Sequence, residues 1–259
     1  MEVRGFMAIK ILGTGFYVPE KIVTNDDLSK MVETSDEWIV QRVGVSERHV
    51  STGETAADFA AAAAKQALES AGMKPEELDL IIAATITSET VCPTVAGSVQ
   101  RGIGATCPCF DLNSACSGFM FALDTAVSYI ARGTAKNVLV IGAERLSKIL
   151  DWTDRSTCVI FGDGAGAAVV TKGDGYLDDN DHVVTHQANI RIIDYASRRL
   201  KVPKEKFFIN IDKYGNTSAA SVPMALAELN ASGKLKRGDI VVMSAFGGGL
   251  SGASCIIKW

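Results

Sequence analysis

The chain has little of what marks several large classes of protein. It has no apolar run of membrane-spanning length and no long apolar core in residues 1–10. Neither a spanning segment nor a signal peptide is therefore expected. It has no excess of positive charge: 26 Lys and Arg stand against 30 Asp and Glu, a net charge of −4. That balance speaks against a general nucleic-acid-binding role. Six cysteines occur without a Cys-x-x-Cys pair, and the three histidines do not combine with them at zinc-site spacing. Cys107-Pro108-Cys109 is too short for a metal knuckle and reads as core or loop thiols. Free thiols point to a reducing cytoplasm. What remains is a 259-residue chain, 47% hydrophobic and 22% charged, of ordinary globular composition. It is long enough for one large domain or two similar halves.

The most informative residue is Cys116, in Asn113-Ser114-Ala115-Cys116-Ser117-Gly118-Phe119. A short apolar run (109–112) precedes it and an apolar-periodic stretch (119–131) follows. This reads as strand, tight turn, helix, with a thiol at the helix N-terminus. The helix dipole there predicts a thiol pKa below its free value of about 8.5, and so an activated nucleophile. Position alone fits a buried structural cysteine equally well. Two further corners resemble this one. Val184-Thr185-His186-Gln187-Ala188-Asn189 delivers a His just before a periodic helix, and Tyr214-Gly215-Asn216-Thr217-Ser218 is a Gly-marked turn into another. Taken singly, each is a structural His or an N-cap. Three such corners together are hard to explain as caps.

These segments, with Ala-Phe-Gly-Gly-Gly-Leu at 245–250, resemble β-ketoacyl-acyl carrier protein synthase III, a condensing enzyme of the thiolase fold. The resemblance runs from about Ile9 to Trp259, and the Cys-His-Asn set separates this branch from elongating synthases and thiolases.

Gly and Pro punctuation predicts strands at 9–17, 80–85, 109–112, 138–142 and 165–171, with helices at 55–71, 95–103 and 117–132. A loop and helical segment covers 26–42. The second half replays the order: strand 182–185, helix 189–200, strand 207–211, helix 217–232, strands 240–244 and 252–258. Local echoes are visible, such as Asn137-Val138-Leu139-Val140 and Asp239-Ile240-Val241-Val242. The expected fold class is α/β: a thiolase-like fold of duplicated βαβαβαββ halves in a five-layer αβαβα sandwich. The halves are 1–172, carrying the nucleophile, and 173–259, carrying His and Asn. The second half has no counterpart of the first strand and the Ala-rich helix, because only residues 172–181 lie between strands. Omission of a stretch from the sequence is favoured over its loss, since a missing central strand would open a sheet edge.

The resemblance implies that Cys116 accepts an acyl group from an acyl-CoA primer. Malonyl-acyl carrier protein then loses CO2, and its carbanion attacks the acyl-Cys116 thioester, initiating fatty-acid synthesis. His186 and Asn216 would donate hydrogen bonds to the enolate oxygen. The backbone N–H groups of Cys116 and Gly248 would form a second oxyanion hole. Trp38, Arg42 and Arg155 would meet the nucleotide of CoA, Asn189 its pantetheine arm, and Phe161 would line the pocket. For Trp38 a half-buried interfacial helix residue is the plain alternative. Arg191, Arg198 and Arg199 are candidates for docking the acidic carrier protein, or a merely solvated helix face. Cys92 stands where the family's loop floors the partner's acyl pocket, so a primer larger than acetyl is expected. Ser251 stands where the family usually has a Trp. Phe161-Gly162-Asp163-Gly164-Ala165-Gly166 precedes a strand, so it fails as a dinucleotide loop and reads as close core packing. A cytoplasmic homodimer with no metal, bound cofactor, nucleic acid or membrane partner is implied. The alternatives are a related condensing enzyme of specialised metabolism and a catalytically dead, loop-deleted homologue.

Overall fold

A computed structural model describes residues 9–173 and 181–259. The first half contains β1 (Ile9–Tyr17), β2 (Ile22–Thr24), α1 (Asn25–Ser29), α2 (Asp36–Arg42), β3 (Glu47–His49), α3 (Ala56–Ala71), β4 (Leu80–Ala84), α4 (Val95–Ile103), β5 (Cys109–Leu112), α5 (Gly118–Ala131), β6 (Val138–Glu144), α6 (Arg155–Cys158) and β7 (Gly164–Lys172). The second contains β8 (His182–Thr185), α7 (Ile190–Leu200), α8 (Ile211–Tyr214), α9 (Ser221–Ala231), β9 (Ile240–Gly247) and β10 (Ser251–Lys258).

The first sheet has the order β1-β7-β6-β4-β5, and the second has the order β10-β9-β8. In the first, β4 runs parallel to β6, and β6 antiparallel to β7. In the second, β8 runs parallel to β9, and β9 antiparallel to β10. The three-strand unit is thus repeated. Strand β7 is covered at its far edge by antiparallel β1. Among the described residues nothing takes the matching place beside β10.

Helices α5 and α9 lie between the sheets. α9 is buried on almost every face, as a helix sandwiched between two apolar sheets must be, whereas α5 buries Phe119, Met120, Leu123, Ala126 and Ile130 and leaves Asp124 and Ser128 exposed. Leu80, Ile82, Ala84 and Val140 from the first sheet and Val184, Val241, Met243 and Ile257 from the second close on them as one core. The outer face of the first sheet carries α3 and α4. Thr55 caps α3 by a capping box and Gly72 ends it in the left-handed region. Its alanines matter because β1 presents glycines: a Cβ at Gly13 would lie 2.5 Å from the Ala67 carbonyl oxygen, and one at Gly15 would lie 2.3 Å from that of Ala63. The outer face of the second sheet carries α7, whose Ile193 packs on Val183 and Phe207. Beyond it, Phe246 and Ile256 stay 45% and 52% exposed.

The elements follow the expected order, with one correction. The expected strand at 207–211 contracts to a single parallel bridge, Val183 with Phe207. The cause is a side chain. Gln187 donates to the Phe208 carbonyl at 3.2 Å and accepts from the Asn210 amide at 3.2 Å. Those backbone groups are thereby withdrawn from strand pairing, and the chain turns into α8. The glycines at 162–166 allow close packing, as expected: a Cβ at Gly166 would lie 2.4 Å from the Met224 amide nitrogen of α9. None of the helices among the described residues is long and apolar enough to cross a membrane.

Candidate active site

Cys116 follows parallel strand β5 and sits in the short 3-10 turn Ala115–Ser117 that leads into α5. Ala115 is forced into the left-handed region at φ 45°. The second half repeats the device: the turn Ser218–Ala220 leads into α9, and Ser218 has φ 49°. Ala219 is thus the positional counterpart of Cys116. The expected low thiol pKa is not found. Burial pushes the Cys116 thiol up, and the nearby Glu144 carboxylate adds to the rise. Desolvation of the thiolate is the largest cause of the rise.

His186 follows β8 and is nearly fully buried, with its ring edge-on to Phe246 at 5.6 Å. Burial lowers its pKa to about 4, so the ring is neutral. Its Nδ1 is buried without a hydrogen-bond partner. The Asn216 backbone bridges Phe161, and its Oδ1 accepts from the Ser218 amide at 2.9 Å. With Oδ1 taken, the side chain presents its NH2 as a donor. The end of β9 closes the group. A Cβ at Gly247 would stand 2.9 Å from the Cys116 amide nitrogen, whereas one at Gly248 would be 3.7 Å from Ala115 Cβ. The close approach to Cys116 is therefore made by Gly247, one residue before the glycine singled out from sequence.

The remaining predicted residues form separate groups. Trp38 is flanked by two guanidinium groups, Arg42 at 5.4 Å and Arg155 at 4.9 Å from the ring centre. Asn189 is already engaged: it caps α7 through the Arg191 amide and donates to the Arg42 carbonyl at 2.9 Å. It therefore ties α7 to the Trp38 group. Arg191 and Arg198 line one shallow depression of about 510 Å³ with Ile192 and Tyr195, which is 63% exposed. Arg199 is exposed outside it. Cys92 is exposed on its loop. All six cysteines are free thiols. Leu250, beside the position where a Trp was expected, is fully exposed with φ 50°.

Two family profiles match the chain, 3-oxoacyl-[acyl-carrier-protein] synthase III over residues 110–187 and the C-terminal part of the same synthase over 173–259. A β-ketoacyl-[acyl-carrier-protein] synthase III of Clostridium acetobutylicum is 43% identical, over 97% of this chain and 99% of the relative. The chain belongs to the 3-oxoacyl-[acyl-carrier-protein] synthase III family. The crystal structure of the Aquifex aeolicus synthase III superposes with a TM-score of 0.94 at 44% identity, covering 97% of this chain and all of the other. The priming β-ketosynthase of the R1128 polyketide pathway superposes at 0.92 with 30% identity, covering 100% and 98%. The thiolase-like fold is common to these synthase III structures. The Clostridium alignment runs over 321 positions, more than the 259 residues here, so it bridges an internal stretch that this chain lacks.

Two neighbours of Cys116 escaped the sequence reading. Glu144 ends β6 fully buried, and Ser218 lies close to both it and Cys116. A lone acidic residue closing the apolar run 138–143 was the available signal for Glu144. Nothing local marked Ser218.

Proposed function

We propose that this chain is a β-ketoacyl-acyl carrier protein synthase III, which joins an acyl-CoA primer to malonyl-acyl carrier protein and so starts fatty-acid synthesis. The observation that carries the reading is the packing of one corner from each half, with Gly247 closing on the Cys116 backbone and Asn216 bonded to the neighbouring turn. Cys116 attacks the primer thioester and expels CoA. His186 and Asn216 then donate to the enolate oxygen as malonyl-acyl carrier protein loses CO2. A neutral His and an amide NH2 suit that task, since each offers a donor without adding a competing charge. Such donors are worth about 3–4 kcal/mol each when aimed at the developing charge. The Cys116 amide and a glycine of the 247–249 run would hold the oxyanion of the acyl-transfer steps.

The Trp38 ring between Arg42 and Arg155 suits an adenine and its phosphates. The Arg191 and Arg198 depression, with Tyr195 at its wall, suits an acidic carrier protein. Strand β5 ends the first sheet as an open edge, which supports a homodimer, and Cys92 on its exposed loop would reach the partner's pocket. Its small side chain would admit primers beyond acetyl. Acyl-CoA and carrier protein enter as substrates, with no resident cofactor. Free thiols suit the cytoplasm.

The test is intact mass before and after exposure to acetyl-, butyryl- and isobutyryl-CoA. One acyl group gained, and absent in Cys116→Ala, supports the reading, and chain-length preference tests Cys92. A chain of 27.5 kDa that gains nothing would overturn it in favour of a dead, loop-deleted homologue.

A further inference from the structure

A thiol must lose its proton before it attacks, and the surroundings of Cys116 do not make this easy. Burial opposes the thiolate, and the turn at 115–117 separates it from the first turn of α5. His186 is a weak base in its buried setting, and its Nδ1 has no partner to settle where its proton sits.

Near the thiol stands Glu144, fully buried at the end of β6. It accepts from Thr87 Oγ1 at 2.6 Å, from Thr85 Oγ1 at 3.4 Å and from the Ile86 amide at 3.2 Å. Among the described residues no cation pairs with it. The adjacent Arg145 turns away to Glu89 at 3.2 Å, and Lys148 joins Glu89 at 3.0 Å. Ser218 lies close to both Glu144 and Cys116, on a turn that packs against the 115–117 turn and the end of β6. Its hydroxyl is buried and close enough to stabilise the charged form of each, yet it makes no hydrogen bond of full geometry to either. Its strained backbone, at φ 49°, is held by the Asn216 side chain. The turn rests on the end of β6 at Gly142, where a Cβ would come 2.2 Å from the Ala219 carbonyl oxygen. A hydroxyl held at such backbone strain, donating to neither neighbour, is poised to bridge them.

We propose that Glu144 accepts the Cys116 thiol proton through the Ser218 hydroxyl. The Cys116 S–H bond breaks as Ser218 Oγ takes its proton. Ser218 passes its own hydroxyl proton to the Glu144 carboxylate. The products are a thiolate, an unchanged serine and a neutral carboxylic acid, so charge and protons balance. The expelled CoA thiolate takes up one proton, and Glu144 regains its charge. The purpose of the relay rests on the acyl-transfer reading above; its existence does not. The titratable group that faces Glu144 is Cys116 on the 115–117 turn, while Arg145, next along the chain, is paired with Glu89.

The rate of Cys116 alkylation by iodoacetamide, followed by intact mass from pH 5.5 to 9, tests this in the wild type, Glu144→Gln and Ser218→Ala. The wild-type rate should rise through neutrality as Glu144 ionises, which burial places near pH 7. Both variants should lose that rise and react about 100-fold more slowly at pH 7.5. A carboxylate acting only as a nearby negative charge has the opposite effect: its removal in Glu144→Gln would speed alkylation, and that result overturns the relay. Ser218→Ala keeps the buried carboxylate and its three donors, so it decides the matter even if Glu144→Gln does not fold. Unchanged profiles in both also overturn the relay. Relay-dependent alkylation in a wild type that gains no acyl group from acyl-CoA would uphold the relay and refute the acyl-transfer reading.

Discussion

Gly247 and Cys116 are in backbone contact: a Cβ on Gly247 would lie 2.9 Å from the Cys116 amide nitrogen and 3.1 Å from its Cβ. The end of β9 therefore forms one wall of the Cys116 turn. Gly247→Ala should displace that turn and slow acylation of Cys116 by acyl-CoA at least 10-fold, since a shift near 1 Å can cost 100-fold. Gly248→Ala meets only ordinary contact, 3.7 Å from Ala115 Cβ, and should stay within a few-fold. Acyl-adduct formation by quenched mass spectrometry separates the two.

Asn216 is oriented by the Ser218 amide, which occupies Oδ1. Asn216→Asp keeps the acceptor and removes the donor. Decarboxylation of malonyl-acyl carrier protein by the acylated variant should fall 100- to 1000-fold, about 3–4 kcal/mol, while acylation of Cys116 persists. Equal loss of both steps would contradict the division of labour proposed here.

His186 and Glu144 make opposed contributions to the pH dependence of stability. The folded pKa of His186 is lowered from 6.5 to about 4. The unfolded chain therefore binds more protons between those values, and stability is lost as pH falls through that window. The Glu144 pKa is raised from 4.5 to about 7, so the folded chain binds more protons between those values and stability is lost as pH rises. Each effect is on the order of 3 kcal/mol at most. Relative to wild type, Glu144→Gln should become less stable as pH falls from 6.5 to 4.5, and His186→Gln should become less stable as pH rises over the same range. Urea midpoints measured across pH 4.5–7.5 check both signs.

Among the described residues β10 ends the second sheet, and Ile256 on it is 52% exposed. Unpaired apolar edges favour chain association. Ile256→Lys should raise the concentration at which light scattering begins, while the unfolding free energy stays within about 0.5 kcal/mol, as for other surface changes.

Much of the fold is legible locally. The Thr55 and Gly72 signals bound α3, and the echo of 137–140 in 239–242 anticipates the β6–β9 correspondence. Residues 172–181 are too few for a crossover helix and strand, and among the described residues nothing pairs beyond β10. The strand at 207–211 was misread because its apolar pattern is real, while the competing donor and acceptor, Gln187, lies twenty residues away.

The corners that carry Cys116, His186 and Asn216 are determined by sequence alone, because apolar runs, glycines and caps act over a few residues. Tertiary structure alone decided the state of the groups those corners hold. Burial raises the Cys116 thiol and keeps His186 neutral. Packing of the 218–220 turn on Gly142 sets Ser218 close to Cys116 and Glu144. Desolvation and backbone approach depend on what the rest of the chain brings close, and no local motif encodes that.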